Sequence, residues 1–383
     1  MNEVVLNDIC ELIVDCPHST AYDEGTGYPL VRTPNIGRGR LIYSGMHRVC
    51  EEVYNKRNAR AIPQTNDLIF AREATAGNVA LIQEGEKVCL GQRTVLIRPN
   101  ANLVNPTFLT YHLLAPEQQY KLLSTANGAT VAHVNMPTIR NLKLSLPPLA
   151  TQHRIATILA RYDSLIKNYQ KQIKLLEEAA QRLYKEWFVD LRFPGHENTN
   201  IIDGVPEGWE KKKVDSIYSI KYGKNLSTKL ITETGLFPVY GANGVIGYYD
   251  KANCNEQVVL ITSRGNGSGD VLVTYHKDSF ITNNSFVVTP LEGYEYCKLP
   301  FTFQFLKMAN FRAVRTGAAQ PQLTNQSIHT VNVVLPNRCL IEKYCAATVR
   351  MNDAIIKYRE QLRLLTEARD RLLPKLMSGE ITV

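Results

Sequence analysis

Side chains that could hydrogen-bond to base edges or neutralise phosphates are concentrated in two separate parts of this sequence. Arginine, lysine, asparagine and glutamine supply the donors and acceptors for such contacts. The candidates in the first part are Arg38, Arg40, Arg72, Gln92 and Arg93. Those in the second part are Lys221, Lys224, Arg264, Asn266, Asn283, Asn284, Arg312 and Arg315. Taken singly, each is also typical of an ordinary exposed surface, so the prediction of a nucleic-acid interface depends on the group.

The overall charge favours a polyanionic partner without requiring one. The chain of 383 residues carries 44 Lys and Arg against 36 Asp and Glu, a formal net charge of +8. Such an excess is typical of proteins that bind nucleic acid, and nucleic acid is the partner we expect. A basic protein indifferent to nucleic acid is the alternative.

Motifs of several enzyme classes are incomplete in this sequence. The segment Asn105–Phe108 reads N-P-T-F and lacks the second proline of the methyltransferase N-P-P-F motif, so we interpret it as a turn leading into a helix. The glycines of Gly265–Gly269 do not have the G-x-G-x-x-G spacing, and no G-x-x-x-x-G-K-[ST] occurs. Glu210 resembles part of a nuclease carboxylate pair but has no acidic partner nearby in the sequence. We therefore expect no catalytic site in this chain.

Cysteine and histidine spacings predict neither a metal site nor a redox site. The cysteines lie at positions 10, 16, 50, 89, 254, 297, 339 and 345, without a C-x-x-C pair, and the histidines lack metal-ligand spacing. Scattered cysteines and the absence of a signal-peptide pattern after Met1 favour reduced thiols and a cytoplasmic location. No apolar run reaches eighteen residues, so no membrane span is expected.

A long internal repeat organises the elements that must position these residues. The stretch 128–188 reappears as 317–377 without a gap, at a constant offset of 189 positions. Leu146-Pro147 matches Leu335-Pro336, and Leu175-Leu176 matches Leu364-Leu365. A period this long indicates two large copies of one architecture. The repeated loop that begins at Gly128 and at Gly317 has two possible roles, DNA contact or simply a turn.

Each copy ends in a long helix with one apolar stripe. The spacing of three and four residues predicts a helix over about 151–188 and a second one from about 337. The predicted seam comprises Ile155, Tyr162, Ile166, Tyr169, Ile173, Leu176 and Leu183, and Met351, Ile355, Tyr358, Leu362, Leu365 and Leu372. Arg369 interrupts the second stripe, and Pro374 should end or kink that helix near Leu373. Each stripe can be buried on the other.

The segments before the helices are predicted to form mixed sheets with a few helices. Short apolar runs at 67–71, 79–82, 94–97, 258–261, 271–273 and 285–288 predict strands. A gapped correspondence pairs Arg72 with Arg264, Gly77 with Gly269, and Gln92-Arg93 with Asn283-Asn284. The predicted domains are 1–148, a first long helix 149–192, a linker 193–208, a second globular domain 209–335 and a second long helix 336–383. Because the surface residues of the globular parts differ, one scaffold is expected to carry two different DNA-reading surfaces.

Several motifs in this order resemble a known family. They are T-G-A-A-Q-P-Q-L at 316–323, W-F-V-D-L-R-F-P-G at 187–195, V-P-E-G-W at 205–209 and F-P-V-Y-G-A-N-G at 237–244. The chain is similar over its whole length to the specificity subunits of Type I restriction-modification systems. Arg338-Cys339-Leu340 at the start of the second helix and the charged Arg369 depart from the family pattern.

The resemblance implies a mixed α/β fold in which two similar target recognition domains are joined by an antiparallel coiled coil with pseudo-two-fold symmetry. It implies a non-catalytic subunit that reads a bipartite, asymmetric site in double-stranded DNA and docks two modification subunits on its helices. Those partners would methylate adenine using S-adenosylmethionine, and restriction subunits would use ATP with Mg; this chain itself would bind no cofactor. The alternatives are a coiled-coil scaffold with protein-binding heads and a single-chain modification enzyme with an unrecognised cofactor site.

Overall fold

The computed structural model describes residues 2–124, 133–317 and 320–383. The start of the repeated loop, Gly128 to Thr130, and its counterparts Ala318 and Ala319 lie outside the described residues. The chain forms two compact units, each considered by itself. The first unit comprises Met1–Lys167 with Arg363–Val383, and the second unit comprises Asn168–Leu362.

The described residues of the first unit form nine strands. They are β1 Asn2–Val5, β2 Cys10–Asp15, β3 Tyr28–Val31, β4 His47–Val49, β5 Leu68–Ala71, β6 Val79–Leu81, β7 Cys89–Leu90, β8 Thr94–Pro99 and β9 Lys143–Leu146. The helices that begin in this part of the chain are α1 Glu51–Arg57, α2 Pro106–Leu114, α3 Pro116–Ser124, α4 Met136–Arg140 and the long α5 Leu149–Tyr184. One sheet has the order β2-β8-β5-β6, a second has the order β4-β3-β7, and β1 pairs with β9.

The second unit repeats this connectivity. Its strands and those of the preceding connection are β10 Ile201–Ile202, β11 Val205–Pro206, β12 Glu210–Lys213, β13 Tyr218–Tyr222, β14 Phe237–Gly241, β15 Gly244–Tyr249, β16 Val259–Thr262, β17 Val271–Val273, β18 Phe280–Ile281, β19 Ser285–Pro290 and β20 Asn332–Leu335. The helices are α6 Leu299–Met308, α7 Asn325–Ile328 and the long α8 Arg338–Ser378. The sheets are β13-β19-β16-β17, β15-β14-β18 and β12-β20. The repeat therefore extends through the globular parts as a topology, although their sequences differ.

The central strands of each main sheet are buried on both faces. In the first unit, Phe70 and Val95 point into one apolar cluster, whereas Ile69 and Leu96 point into another. This alternation follows from the two-residue period of a strand. The cluster around Phe70 also contains Leu159 of α5, and the main cluster of the second unit contains Tyr184 and Tyr344. The long helices are thus part of the hydrophobic core of each unit.

The two long helices pair in an antiparallel manner. In the second unit, the ring of Tyr169 lies 5.2 Å from that of Tyr358, and the Tyr344 hydroxyl donates to the Ala180 carbonyl at 3.0 Å. Later residues of α5 thus meet earlier residues of α8. Every residue of the predicted seam is buried or half-buried. The predicted mixed α/β class with an antiparallel helix pair is confirmed.

Pro374 was predicted to end or kink helix α8 near Leu373, and the first of these two outcomes is wrong, whereas the kink stays a prediction. The helix continues to Ser378 with Pro374 inside it. Leu376 and Met377 are 2% and 6% exposed and pack in the core of the first unit. Burial of these two side chains offsets the hydrogen bond that proline removes from the last turn.

Candidate nucleic-acid interface

Five polar side chains meet in the first unit where β2 and β5 end and β8 begins. The Arg72 guanidinium donates to Asp15 Oδ2 at 2.8 Å and to His133 Nε2 at 2.9 Å. Because His133 Nε2 accepts this bond, its proton lies on Nδ1, which donates to Glu73 Oε1 at 2.6 Å. The second Glu73 oxygen pairs with Arg93 Nη1 at 2.6 Å. We call this chain of contacts from Asp15 to Arg93 the strand-end network.

The network contains one internal and one external arginine. Arg72 is only 8% exposed, and its Nε also donates to the Val134 carbonyl at 2.9 Å. Its donors are therefore largely used inside the unit. The side chain of Arg93 is 61% exposed, and a cleft of about 190 Å³ beside it is also lined by Arg57 and Gln92. The Gln92 amide donates to the His18 carbonyl at 2.7 Å. Of these candidates, Arg93 is placed to meet an external ligand.

Arg38 and Arg40 lie on the connection between β3 and β4 instead. The Arg38 guanidinium donates to the Leu114 carbonyl at the end of α2, at 2.9 Å, although much of the side chain is exposed. Arg40 is half-buried, and its carbonyl accepts the Gly37 amide at 3.0 Å. Among the hydrogen bonds of the described residues, none joins Arg38 to the strand-end network.

The candidates of the second unit lie on loops that bond to one another. The Asn283 amide donates to the Lys224 carbonyl at 3.0 Å. Arg315 Nη1 donates to the Asn266 carbonyl at 3.4 Å, and Arg312 pairs with Asp270 at 2.6 Å. Arg264 is exposed. The structure therefore brings most of these residues to one group of loops. Lys221 is exposed on the neighbouring strand β13, and Asn284 is half-buried.

Backbone hydrogen bonds identify equivalent positions in the two units and correct one predicted pair of equivalent residues. The Arg72 amide donates to the Arg93 carbonyl and the Arg72 carbonyl accepts from Val134, while Ser263 makes the same bonds with Asn284 and Leu323. Ser263 is therefore the counterpart of Arg72, and the pairing of Arg72 with Arg264 is wrong.

The correction has a simple geometric cause. The amide of Gly77 bonds to the Ala71 carbonyl, and the amide of Gly269 bonds to the Thr262 carbonyl. The turn of the second unit holds one more residue between these points. Counted from the end of the preceding strand, Ser263 is equivalent to Arg72, and Arg264 is equivalent to Glu73. The pairings of Gly77 with Gly269 and of Arg93 with Asn284 are confirmed.

Different side chains satisfy the same backbone group in the two units. The Val134 carbonyl accepts from Arg72, whereas the equivalent Leu323 carbonyl accepts from the Tyr222 hydroxyl at 3.4 Å. Tyr222 faces Phe286 across the sheet, as Asp15 faces Val95. The ionic contact of the first unit is thus replaced by an uncharged one on the same scaffold, so the two loop surfaces differ in charge and in hydrogen-bonding groups.

In each unit a tyrosine of the globular part is tied to an ion pair between the long helices. In the first unit, the Tyr111 hydroxyl donates to Asp163 Oδ2 at 2.6 Å, and Arg369 Nη1 donates to Asp163 Oδ1 at 2.6 Å. Burial, followed by the Asp163 carboxylate, raises the pKa of Tyr111 well above its ordinary value, so the hydroxyl keeps its proton. Arg369, which interrupts the apolar stripe, therefore joins the two helices.

The second unit has an equivalent contact between a tyrosine and an interhelical ion pair, but at other positions of the two helices. Arg359 Nη2 donates to Glu177 Oε1 at 2.7 Å, and its guanidinium lies 3.7 Å from the centre of the Tyr275 ring. The Tyr275 hydroxyl also reaches Glu177, at 3.5 Å. These contacts fix each globular part on its own segment of the helix pair.

We expect Asp163→Ala to destabilise the first unit by about 1–2 kcal/mol, because Tyr111 and Arg369 both lose their acceptor in a partly buried place. Native-state hydrogen exchange of amides in the first unit measures this change. Asp353→Ala, at an exposed position on α8, is the matched control. Equal exchange rates in the two variants would contradict the role of Asp163.

Asp15, Glu73 and His133 belong to the network but did not emerge from the sequence. Asp15 and Glu73 each come at or just after the end of an apolar strand, which is the one local signal they carry. Asp15 lies 57 positions from Arg72, and His133 lies 60 positions from Glu73 and 61 from Arg72. In the ranges the structure describes, no cluster of His, Cys, Asp or Glu could hold a metal ion, and no helix could cross a membrane.

Comparison with known proteins identifies a family for both halves. A family model described as the Type I restriction modification DNA specificity domain matches residues 1–178 and again 206–340. The Type I restriction enzyme MjaIX specificity subunit of Methanocaldococcus jannaschii is 24% identical, with 99% of this chain and 93% of the relative covered. The putative MjaX specificity subunit of the same organism is 29% identical over the same shares.

A solved structure supports the fold. The S subunit of a Type I restriction-modification system from M. genitalium superposes with a TM-score of 0.60 at 17% identity. The alignment covers 98% of this chain and 95% of that one. At this identity the likeness is evidence for the fold alone.

Proposed function

Since the chain belongs to the Type I restriction-modification DNA specificity family, with one specificity domain in each half, we propose that it is a non-catalytic subunit that reads a bipartite, asymmetric DNA site. The observation that carries this proposal is the pair of equivalent loop surfaces with different side chains. Arg72, Glu73 and Arg93 in the first unit correspond to Ser263, Arg264 and Asn284 in the second. Different donors and acceptors at equivalent positions select different bases, so the two halves of the site should be unlike.

The exposed cations provide the affinity in this proposal. Lys221, Lys224 and Arg264 are exposed in the second unit, and Arg93 is exposed in the first. Contacts of Lys and Arg with phosphates release counterions and supply sequence-independent affinity. Arg72, being buried, would act by holding the loops and not by touching DNA.

We further propose that the long helices dock two modification subunits, which transfer methyl groups to adenine from S-adenosylmethionine. The repeat supports two equivalent contacts, because Leu175 and Leu364 are matched residues of the two copies and are 53% and 44% exposed. Leucines exposed at repeated positions on helices are suited to an apolar contact with a partner. Restriction subunits that use ATP and Mg would join this assembly, and no cofactor would bind the chain itself.

We expect Leu175→Glu and Leu364→Glu each to weaken the binding of one modification subunit by more than about tenfold, because a charge would be buried in an apolar contact. The double variant should bind neither copy. Sedimentation of mixtures with the modification subunit measures the stoichiometry. Leu165→Glu, at another exposed leucine of α5, is the control outside the matched pair. Retention of two bound copies by the double variant would contradict these docking sites.

The proposed function is tested by mapping methylated adenines in the genomes of cells that carry the partner genes with and without this gene. A two-part motif that appears only with this gene is the expected result. S-adenosylmethionine binding and methylation by the isolated chain would instead indicate a single-chain modification enzyme. Binding of proteins but not of DNA by the purified chain would indicate a scaffold.

A further inference from the structure

We propose that Glu73, itself oriented by His133, positions Arg93 to contact a guanine in the half-site read by the first unit. This inference rests on the proposed function and deepens it. Glu73 and His133 are positioning residues here, and Arg93 is the residue that touches the base.

Both oxygens of Glu73 are committed to this task. Oε1 accepts from His133 Nδ1 and Oε2 accepts from Arg93 Nη1, each at 2.6 Å. The Glu73 side chain is 16% exposed, whereas that of Arg93 is 61% exposed. A largely enclosed carboxylate thus holds one end of a guanidinium whose other donors face outward. Guanine offers two acceptors in the major groove that match the paired donors of an arginine.

The histidine is fixed in turn from its other side. Arg72 donates to His133 Nε2 at 2.9 Å and to Asp15 at 2.8 Å. The buried Arg72 therefore sets the His133 tautomer, in which Nδ1 carries the proton and donates a hydrogen bond to Glu73. Each side chain of the strand-end network restricts the orientation of the next one, and the last side chain is the exposed guanidinium of Arg93.

The residue after Glu73 and its partner Arg93 both have an unusual backbone conformation. Ala74 has φ 59° and Arg93 has φ 62°, in the left-handed region that residues with a Cβ rarely adopt. Such conformations persist where surrounding contacts enforce them, and they cluster at ligand-binding sites. The Glu73–Arg93 ion pair connects Arg93 with the residue that directly precedes Ala74.

The second unit lacks this arrangement at equivalent positions. Arg264, Asn284 and Gln322 take the places of Glu73, Arg93 and His133. Among the residues that the structure describes, Arg264 forms no ion pair with a carboxylate. Arg264 has the backbone position of Glu73, so the second unit carries a cation where the first unit carries the acid that pairs with Arg93. The cation available to DNA therefore lies at a different backbone position in each unit, and we expect the two units to read different half-sites for this reason.

A purely structural pair would behave differently. If the Glu73–Arg93 pair only stabilised the fold, loss of the Glu73 charge would lower stability and leave sequence selection unchanged. If Glu73 positions a base-reading arginine, the same change should relax sequence selection in one half-site only.

The test is to map methylated adenines in cells carrying the full system with Glu73→Gln, which keeps the shape of the side chain and removes its charge. We expect sites with a base other than guanine at one position of one half-site to be methylated about tenfold more often, since one bidentate contact discriminates by about that factor or more. The other half-site should stay unchanged. Arg264→Gln should alter the opposite half-site, which assigns the two halves to the two units.

Two further variants keep the test decisive. His133→Ala should relax the same position as Glu73→Gln, because it removes the group that orients Glu73. Glu3→Gln, which removes the exposed partner of Lys143, should leave the motif unchanged. An unchanged motif in Glu73→Gln with normal protein levels would overturn the inference, as would equal relaxation of both half-sites. Absence of any two-part motif with the unaltered chain would overturn the proposed function instead.

Discussion

Phe301→Ala is expected to lower the free energy of unfolding of the second unit by about 3–5 kcal/mol, because it empties the centre of an aromatic cluster. Phe301 is fully buried. Its ring lies 5.5 Å from that of Phe188 and 5.1 Å from that of Phe305. The cluster also includes Tyr184 and Tyr344 from the two long helices. Phe301 thus joins the globular part of this unit to both helices.

Tryptophan fluorescence during urea unfolding measures this effect in the second unit alone. The chain has two tryptophans, Trp187 and Trp209, and both pack near the cluster. Phe303→Ala, a half-buried position on the same helix, should cost no more than about 2 kcal/mol, because less surface is lost. Equal midpoints for the two variants would show that the cluster does not stabilise this unit as described.

Replacing Lys221, Lys224 and Arg264 together by glutamine is expected to weaken DNA binding about a hundredfold near 0.15 M salt. The slope of log K against log salt is negative, and each lost phosphate contact reduces its magnitude by about 0.9, so the triple variant should reduce it by about 2.7. All three side chains are exposed in the second unit. Fluorescence anisotropy with a labelled duplex over a range of salt concentrations gives both quantities.

The matched control removes the same charge elsewhere in that unit. Lys211, Lys213 and Lys298 are exposed on β12 and directly before α6. Their replacement by glutamine should leave the slope nearly unchanged. If both triple variants lose the same affinity, the net charge and not the loop surface binds DNA, and the proposed interface is wrong.

Local sequence patterns correctly predicted the central strands of the two main sheets and the two long helices. The apolar runs at 67–71, 94–97 and 285–288 correspond to β5, β8 and β19. Alternation of three and four residues predicted the long helices, because one face of a helix must be apolar to be buried. These signals lie within short windows of sequence, where propensity and periodicity act.

Alignment of the two globular parts could not be predicted to the residue. The turn between Ser263 and Gly269 holds one residue more than the turn between Arg72 and Gly77, and identical residue types suggested the wrong partner for Arg72. Only backbone hydrogen bonds locate the additional residue. The contacts of Tyr111 and Tyr275 with interhelical ion pairs could not be predicted for a related reason. The partners are far apart in the chain, and Asp163 and Arg369 are separated by 206 positions.

The sequence by itself determined the doubled architecture, the family and the long paired helices, because these depend on repeated motifs and on periodic burial. Tertiary structure decided which polar residues work together. Asp15 and His133 contact Arg72, and Glu73 contacts His133, only after segments distant in the chain have come together. Arg72 is buried and Arg93 is exposed because burial depends on the packing of the whole unit, which residue type and spacing do not specify.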